Sequence, residues 1–369
     1  MNSGFRFSHQ ISRVQSRYRT NERLFGVLFF VAGIVWDALT LRRIDNLVDN
    51  AILVGYLVLL TGIVVASILV RSDKNGRLAR VEPWLAPVIQ FLLGALLSAF
   101  VIFYAQSIAW VTHLGFWLIL VLGMIANEFL HRRFSSLTSL LIFLMLSSTS
   151  MLAWLYPVLA GHMAPVLFRA AIASGLVLSL LLLVLGIRKK QFSWGRLGSP
   201  PLWYLLGCAI LLDVGYRQNW IPPVPLSVEA GGVYQQVVRD GDAFELEYKT
   251  RHRGLLAPKY ARQYYHTPGE PVYAFTSVFA PTDLKERIFH VWQRQDETSE
   301  KWVTTDRIGY DLTGGRDDGF RGMTFKQNIS EGDWRIIVET SNGKTVSRIP
   351  FTVTFLNQND VYWTRTLRK

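Results

Sequence analysis

The chain has 369 residues, half of them hydrophobic and only 18% charged, with a net charge of +12 and a single cysteine. That balance excludes an ordinary soluble globular protein and a disulfide-stapled secreted domain. It also argues against nucleic acid as a partner, because the basic residues are spread over several loops instead of being gathered in one patch.

Residues 1–23 form a basic tail carrying Arg6, Arg13, Arg17, Arg19 and Arg23. The apolar run that follows has no small-residue cleavage site behind it, so the tail is expected to remain attached and cytoplasmic. Residues 24–220 then hold seven apolar stretches: Leu24 to Leu41, Ala51 to Val70, Pro87 to Tyr104, Trp110 to Leu130, Leu137 to Tyr156, Pro165 to Ile187 and Leu202 to Trp220. A helix needs about 20 apolar residues to cross a hydrocarbon core of roughly 30 Å, so the pattern predicts a seven-span α-helical transmembrane bundle in the lipid bilayer. The tail and the loops on its side hold 15 Lys and Arg, against only Arg42 and Arg43 on the other side. Positive charge favours the cytoplasmic face, and an odd number of spans puts the C-terminus outside.

Trp220-Ile221-Pro222-Pro223-Val224-Pro225 predicts a stiff linker over residues 221–228 that holds the remainder close to the membrane. Residues 229–369 change to period two. Ile349, Phe351, Val353 and Phe355 alternate with polar neighbours, as do Trp334, Ile336 and Val338. Tyr273, Phe275 and Phe279 share a face of another strand. Asn342-Gly343 marks a tight hairpin turn between the Trp334 and Arg348 strands. Ile288 to Gln293 and Trp302 to Asp311 suit a second hairpin, and Val233 to Val238 and Phe244 to Tyr248 two further strands. Arg251 to Tyr265 reads as an irregular, Tyr-rich crossover. Together these segments predict an all-β, immunoglobulin-like antiparallel sandwich.

A resemblance emerges from ordered pieces of this region. Ile221-Pro222-Pro223-Val224-Pro225-Leu226, Val278-Phe279-Ala280-Pro281-Thr282-Asp283-Leu284, Ile288-Phe289-His290-Val291-Trp292, Gly319-Phe320-Arg321, Gly332-Asp333-Trp334-Arg335 and Gly343-Lys344 resemble an uncharacterised family of bacterial multi-pass inner-membrane proteins. That family ends in a small domain of unknown function. The resemblance implies a bacterial inner membrane and a periplasmic β-domain, and it carries no catalytic residues.

Chemistry-bearing motifs are sparse. Metalloprotease, nucleophile-elbow and phosphate-loop signatures do not occur in the sequence, and nothing in it calls for a cofactor or a metal. Glu128 and His131 make a single E-x-x-H, where di-iron sites need two. His290 shares a strand face with Ile288 and Trp292, which suits a hydrogen-bonded structural residue or a groove ligand. Gly314 to Gly322 is the most unusual stretch: Arg316, Asp317, Asp318 and Arg321 among four glycines read as a long hairpin connection or a binding loop. Tyr260, Tyr264 and Tyr265 are expected to add exposed aromatic contacts. In the helices, Asp37, His113, Arg169, Asp213 and Arg217 are expected at similar depth, as a locking ion cluster or a small polar site. Ser147-Ser148-Thr149-Ser150 suits close helix packing.

The expected function is non-enzymatic: an anchored β-domain that recognises an envelope protein, a peptide or cell-wall glycan. The alternative is a transporter or intramembrane enzyme using the outer-leaflet polar cluster.

Overall fold

The computed structural model describes residues 31, 34–41, 43–72, 82–107, 110–129, 136–193, 195, 198–241, 243–250, 262–316, 318–356 and 363–369. The basic tail, most of the first apolar stretch, the basic loops around Lys74 and Arg132, the Glu128/His131 pair, Tyr260 and Asp317 lie outside the residues or side chains so described.

Residues 34–40 are helical, and six further helices follow among the described residues: α1 (Leu47–Ser72), α2 (Glu82–Gln106), α3 (Trp110–Phe129), α4 (Leu137–Ala160), α5 (Pro165–Arg188) and α6 (Pro200–Arg217). Among the described residues, four helical segments are long and apolar enough to cross a membrane: Leu47–Ser72, Trp84–Gln106, Leu137–Ala160 and Pro165–Arg188. α3 is an apolar helix of 20 residues, and α6, the seventh predicted span, has 18 residues with Asp213 and Arg217 near its end.

Local chemistry explains the helix ends. The Ser136 side chain accepts from Ser139 N–H at the start of α4, and Gly161 closes it in the left-handed region at φ 68°. Proline opens α5 and α6, where its missing N–H costs nothing. Helices α4 and α5 pack closely because Gly175 has no side chain: a Cβ there would lie 2.6 Å from Thr149 Oγ1. Ser148 Oγ donates back to Leu144 O and Ser179 Oγ crosses to Leu141 O, so the hydroxylated stretch of α4 serves packing. At the centre, Trp154 Nε1 donates to Asn50 Oδ1 at 3.1 Å while Phe100 and Phe103 meet its ring edge-on.

Eleven strands follow among the described residues: β1 (Ser227–Tyr234), β2 (Gln236–Asp240), β3 (Ala243–Thr250), β4 (Gln263–His266), β5 (Val272–Phe279), β6 (Lys285–Gln295), β7 (Trp302–Thr313), β8 (Phe320–Lys326), β9 (Gly332–Thr340), β10 (Thr345–Phe355) and β11 (Trp363–Arg368). They form three sheets, ordered β4-β10-β9-β6-β7, β1-β5-β8 and β11-β3-β2. Both predicted hairpins are present, β6 with β7 and β9 with β10 around Gly343 at φ 71°. All described pairings are antiparallel except β10 with β4, which is parallel.

The arrangement has three layers where two were expected. On β5, Val272, Ala274 and Val278 join the core shared with Trp292, Trp334, Ile336 and Phe351 of the five-stranded sheet. Phe275, from the opposite face, joins Tyr234, Val237, Leu246 and Tyr248 under the third sheet. Period two still assigns the faces, but both faces of β5 are buried.

The proline segment is buried as well. Ile221 and Val224 pack into the helical core and Leu226 into the β core, so the segment expected as a stiff linker connects two apolar cores. The β-domain therefore sits directly on the helices. Lys285 N–H donates to Gly161 O at 2.9 Å, and Thr282 N–H to Asp45 Oδ2 at 3.0 Å. Asp45 is itself gripped by Arg43 Nε and Nη2 at 2.9 and 2.8 Å. These contacts hold the Asp45 carboxyl below its ordinary range, against the opposing pull of burial. Phe279 enters the helical core, and Met163 enters the β core in return. Lys344 donates to Tyr216 O and stands 4.1 Å from the Tyr216 ring centre.

Candidate functional site

The residues singled out in the sequence divide into separate places. Arg169 Nε lies 3.2 Å from Asp213 Oδ1, and Arg217 Nη2 lies 2.5 Å from Asp213 Oδ2, one turn along α6. This part of the expected ion cluster forms. His113 is fully buried at the start of α3, against the backbone of Asn219. Asp37 does not join the cluster: it lines a different cavity with Asp49, because the 34–40 helix packs beside α1 and α2.

His290 is no groove ligand. It is fully buried between sheets, 2.8 Å from Thr276 Oγ1 and 2.9 Å from Thr324 Oγ1, with Tyr310 edge-on. Both ring nitrogens are engaged, and burial drives its pKa down to about 3. Tyr264 and Tyr265 are not exposed contacts either, at 1% and 4% exposure. Strand β4 pairs with β10 and lies near β3, and Tyr264 joins the main β core.

The Gly314 to Gly322 loop joins strand ends on the side of the helices. Gly314 N–H donates to Leu284 O and Gly315 N–H to Ala280 O. Arg316 and Asp318 are exposed. Arg321 is largely covered, 3.7 Å from Asp318. A Cβ on Gly314 would lie 1.8 Å from Pro281 O, and one on Gly322 would strike the Tyr310 ring at 2.2 Å. These glycines answer close backbone approach, and no ligand is needed to explain them.

The opposite strand ends, away from the helices, form a cleft of about 660 Å³. Register builds it: Arg294 on β6 stands opposite Trp334 on β9, and Lys326 arrives at the end of β8. Lys326 Nζ pairs with Asp306 and lies 5.7 Å from the Trp334 ring centre. Asp306 is held below the usual carboxylate range by that lysine and by Thr305, which outweigh its burial. Arg294 Nη2 donates to Glu297 Oε1 at 2.9 Å and to Glu331 O at 3.3 Å, whereas its buried Nε has no partner. His266 lines the same cleft at 2% exposure, and its Nδ1 is unpartnered. Burial, and more weakly Lys249, lower its pKa despite Glu270, so the ring is neutral near pH 7.

The cleft thus carries two cations, Arg294 paired with Glu297 and Lys326 paired with Asp306, while the unpartnered Arg294 Nε and His266 Nδ1 are covered in its wall. No group of three His, Cys, Asp or Glu able to hold a metal occurs among the described residues. Sequence reasoning missed Arg294, Lys326 and His266. Each sits in an unremarkable local context, and only long-range pairing gathers them.

Residues 285–353 match a family described as a protein of unknown function, DUF2914. The match runs from β6 to β10, the strands that carry Arg294, Lys326 and Trp334. No curated protein matches the chain. Among solved structures, a β-glucosidase from Listeria innocua in complex with glucose is 12% identical, covering 31% of this chain and 17% of its own, at a TM-score of 0.19. The alkylpurine DNA glycosylase AlkC of Pseudomonas fluorescens, bound to DNA containing an abasic site analog, is 10% identical, covering 81% and 98%, at a TM-score of 0.21. This chain thus spans about a sixth of the glucosidase's length, and similarity at this level carries no functional argument.

Proposed function

We propose that this chain is a non-enzymatic recognition protein of the bacterial envelope. Seven helices cross the inner membrane with the basic tail in the cytoplasm, and the β-domain stands in the periplasm. Its cleft binds an envelope protein, a peptide or cell-wall glycan. The observation that carries this reading is the polarity of the β-domain: one set of strand ends is spent on the helices, while the other holds Arg294, Lys326 and His266 around an open cleft. The four strongly apolar helices and the 15-to-2 distribution of basic loop residues support the membrane and its orientation.

Two experiments test it. A reporter fused after Lys369 is expected to be active only outside the cytoplasm, and one inserted near Lys74 only inside; the reverse pattern refutes the orientation. For recognition, the purified full chain is sedimented with isolated cell-wall sacculi, and photo-crosslinkers are placed in cells at Gln327 and Asn328. Binding or a discrete crosslinked partner that disappears in R294E/K326E supports the cleft. If the double variant behaves as wild type in both assays, the cleft is not the recognition surface.

A further inference from the structure

The helical region contains a second candidate site, unconnected with the cleft. An apolar crevice of about 700 Å³ opens between α2, α3, α4 and α6. Among the described elements α3 packs substantially against α2 only, and the crevice is the gap this leaves towards α4 and α6. Gly115 and Gly123 of α3 line it, and a Cβ on either would meet nothing within 4 Å. The two glycines stand about 12 Å apart along the helix, close to half of the roughly 30 Å thickness of a hydrocarbon core. Apart from Ser147, Ser150 and Cys208, the lining is aliphatic, aromatic or glycine. Such a space gives water few hydrogen bonds and suits hydrocarbon.

The end of the crevice nearest the β-domain carries unbalanced positive charge. That end is set by Gly115 near the start of α3 and by Gly215, Trp220 and Ile221 at the end of α6. The β-domain meets it there, where Asn219 Nδ2 donates to Gly343 O at 3.4 Å. His113, two residues before Gly115, lies against the backbone of Asn219 and within electrostatic reach of Arg348 on β10. Arg348 has no acidic or hydrogen-bonding partner among the described residues. It stands opposite Ile337, and Arg335 lies two residues from Ile337 on the same face of β9, a diagonal pair about 7–8 Å apart. Arg335 has no carboxylate either: its Nε donates to the neutral Gln293 at 2.8 Å, and its guanidinium stacks 4.1 Å from the Trp302 ring centre. Burial, and then Arg348, lower its pKa. The other arginines of this sheet face are matched, Arg307 by Glu339 at 2.7 Å and Arg287 by Asp311 at 3.8 Å.

Together the two observations select one kind of molecule. A crevice about one leaflet deep calls for hydrocarbon, and two half-buried, mutually repelling arginines near its end call for an anion. An amphiphile with an anionic head supplies both. We propose that this crevice holds an acyl chain of an anionic phospholipid from the leaflet on the side of the β-domain, with its phosphate headgroup drawn to Arg348 and Arg335. A helix of a second copy would fill the gap and leave the arginines unbalanced. The proposal rests on the reading of these helices as membrane spans, and it is independent of the cleft.

The test begins with alkaline carbonate washing of membranes. A chain released by it refutes the membrane reading and this proposal together, whereas a retained chain without a lipid site refutes the proposal alone. The full-length protein, delipidated in dodecyl maltoside, is then titrated with phosphatidylglycerol and, separately, with zwitterionic phosphatidylethanolamine, and bound lipid is counted by native mass spectrometry. Expected is one saturable phosphatidylglycerol per chain, bound at least tenfold more tightly than phosphatidylethanolamine. R335Q/R348Q should erase that preference at an unchanged elution volume. G115L/G123L, which places side chains in the crevice, should abolish saturable binding of both lipids without lowering the thermal midpoint. The proposal is overturned if wild type binds no phosphatidylglycerol saturably, if either folded variant binds it as wild type does, or if wild type is a lipid-free dimer that G115L/G123L dissociates, which would assign the crevice to a second copy.

Discussion

Trp334 on β9 stands directly across from Phe351 on β10, and both are buried in the core between the five-stranded sheet and the β1-β5-β8 sheet. The indole N–H is satisfied by Ser330 O at 2.9 Å. Replacing Trp334 with alanine removes the ring and leaves a void that the neighbouring strands cannot close. The expected loss is about 3–5 kcal/mol, a large share of an ordinary domain's stability. Chemical unfolding of the full chain, followed by amide exchange in β9 and β10, checks it. Unchanged exchange protection would mean that the pair is not part of the core.

His290 makes the β-domain sensitive to mild acid. Its imidazole titrates near 3 when folded, against an ordinary value of 6.5. The unfolded chain therefore takes up the proton first, and stability falls as pH drops from 6.5 towards 3. It is fully present above 6.5. The slope is about 1.4 kcal/mol per pH unit, so about 2 kcal/mol is lost between pH 6.5 and 5. His266 is shifted in the same direction, and H290Q separates the two. Unfolding midpoints of wild type and H290Q across this window should diverge in slope; parallel slopes would contradict the burial of His290.

Asp213 receives Arg169 from a neighbouring helix and Arg217 from its own. Both arginines are more than half exposed and Asp213 is one-quarter exposed, so each contact contributes little, about 1 kcal/mol or less. Arg169→Ala should lower membrane abundance modestly, and adding Asp213→Asn should restore part of it. Abundance of the two variants, measured by quantitative blotting of membranes, decides the matter. Greater loss in the double variant would show that the pair does not act as a unit.

Gly314 and Gly207 should respond oppositely to alanine. A Cβ on Gly314 collides with Pro281 O, whereas one on Gly207 meets nothing within 4 Å. Gly314→Ala is expected to cost about 2–3 kcal/mol through forced backbone movement. Gly207→Ala, inside α6, should be neutral or stabilise by up to about 1 kcal/mol. Thermal midpoints of both variants test this, and equal shifts would rule out the close approach at Gly314.

The order of the chain was legible from its sequence: an apolar helical region followed by a β-rich domain, with the Asn342-Gly343 hairpin and the faces of β5, β9 and β10. These features depend on neighbours one to four residues apart, through helical length, period two and turn chemistry. Contacts between distant segments were not legible. Tyr264 and Tyr265 are buried because β4 was recruited beside β10. Lys344 leaves the turn that Gly343 builds and packs on Tyr216. Asp37 faces Asp49's cavity and not Asp213. Arg294, Lys326 and His266 meet only because β4, β6 and β8 end at the same edge. Local pattern determines which element forms and which way its side chains point. Which partner covers each face is set by the packing of whole elements, and no short stretch of sequence carries that information.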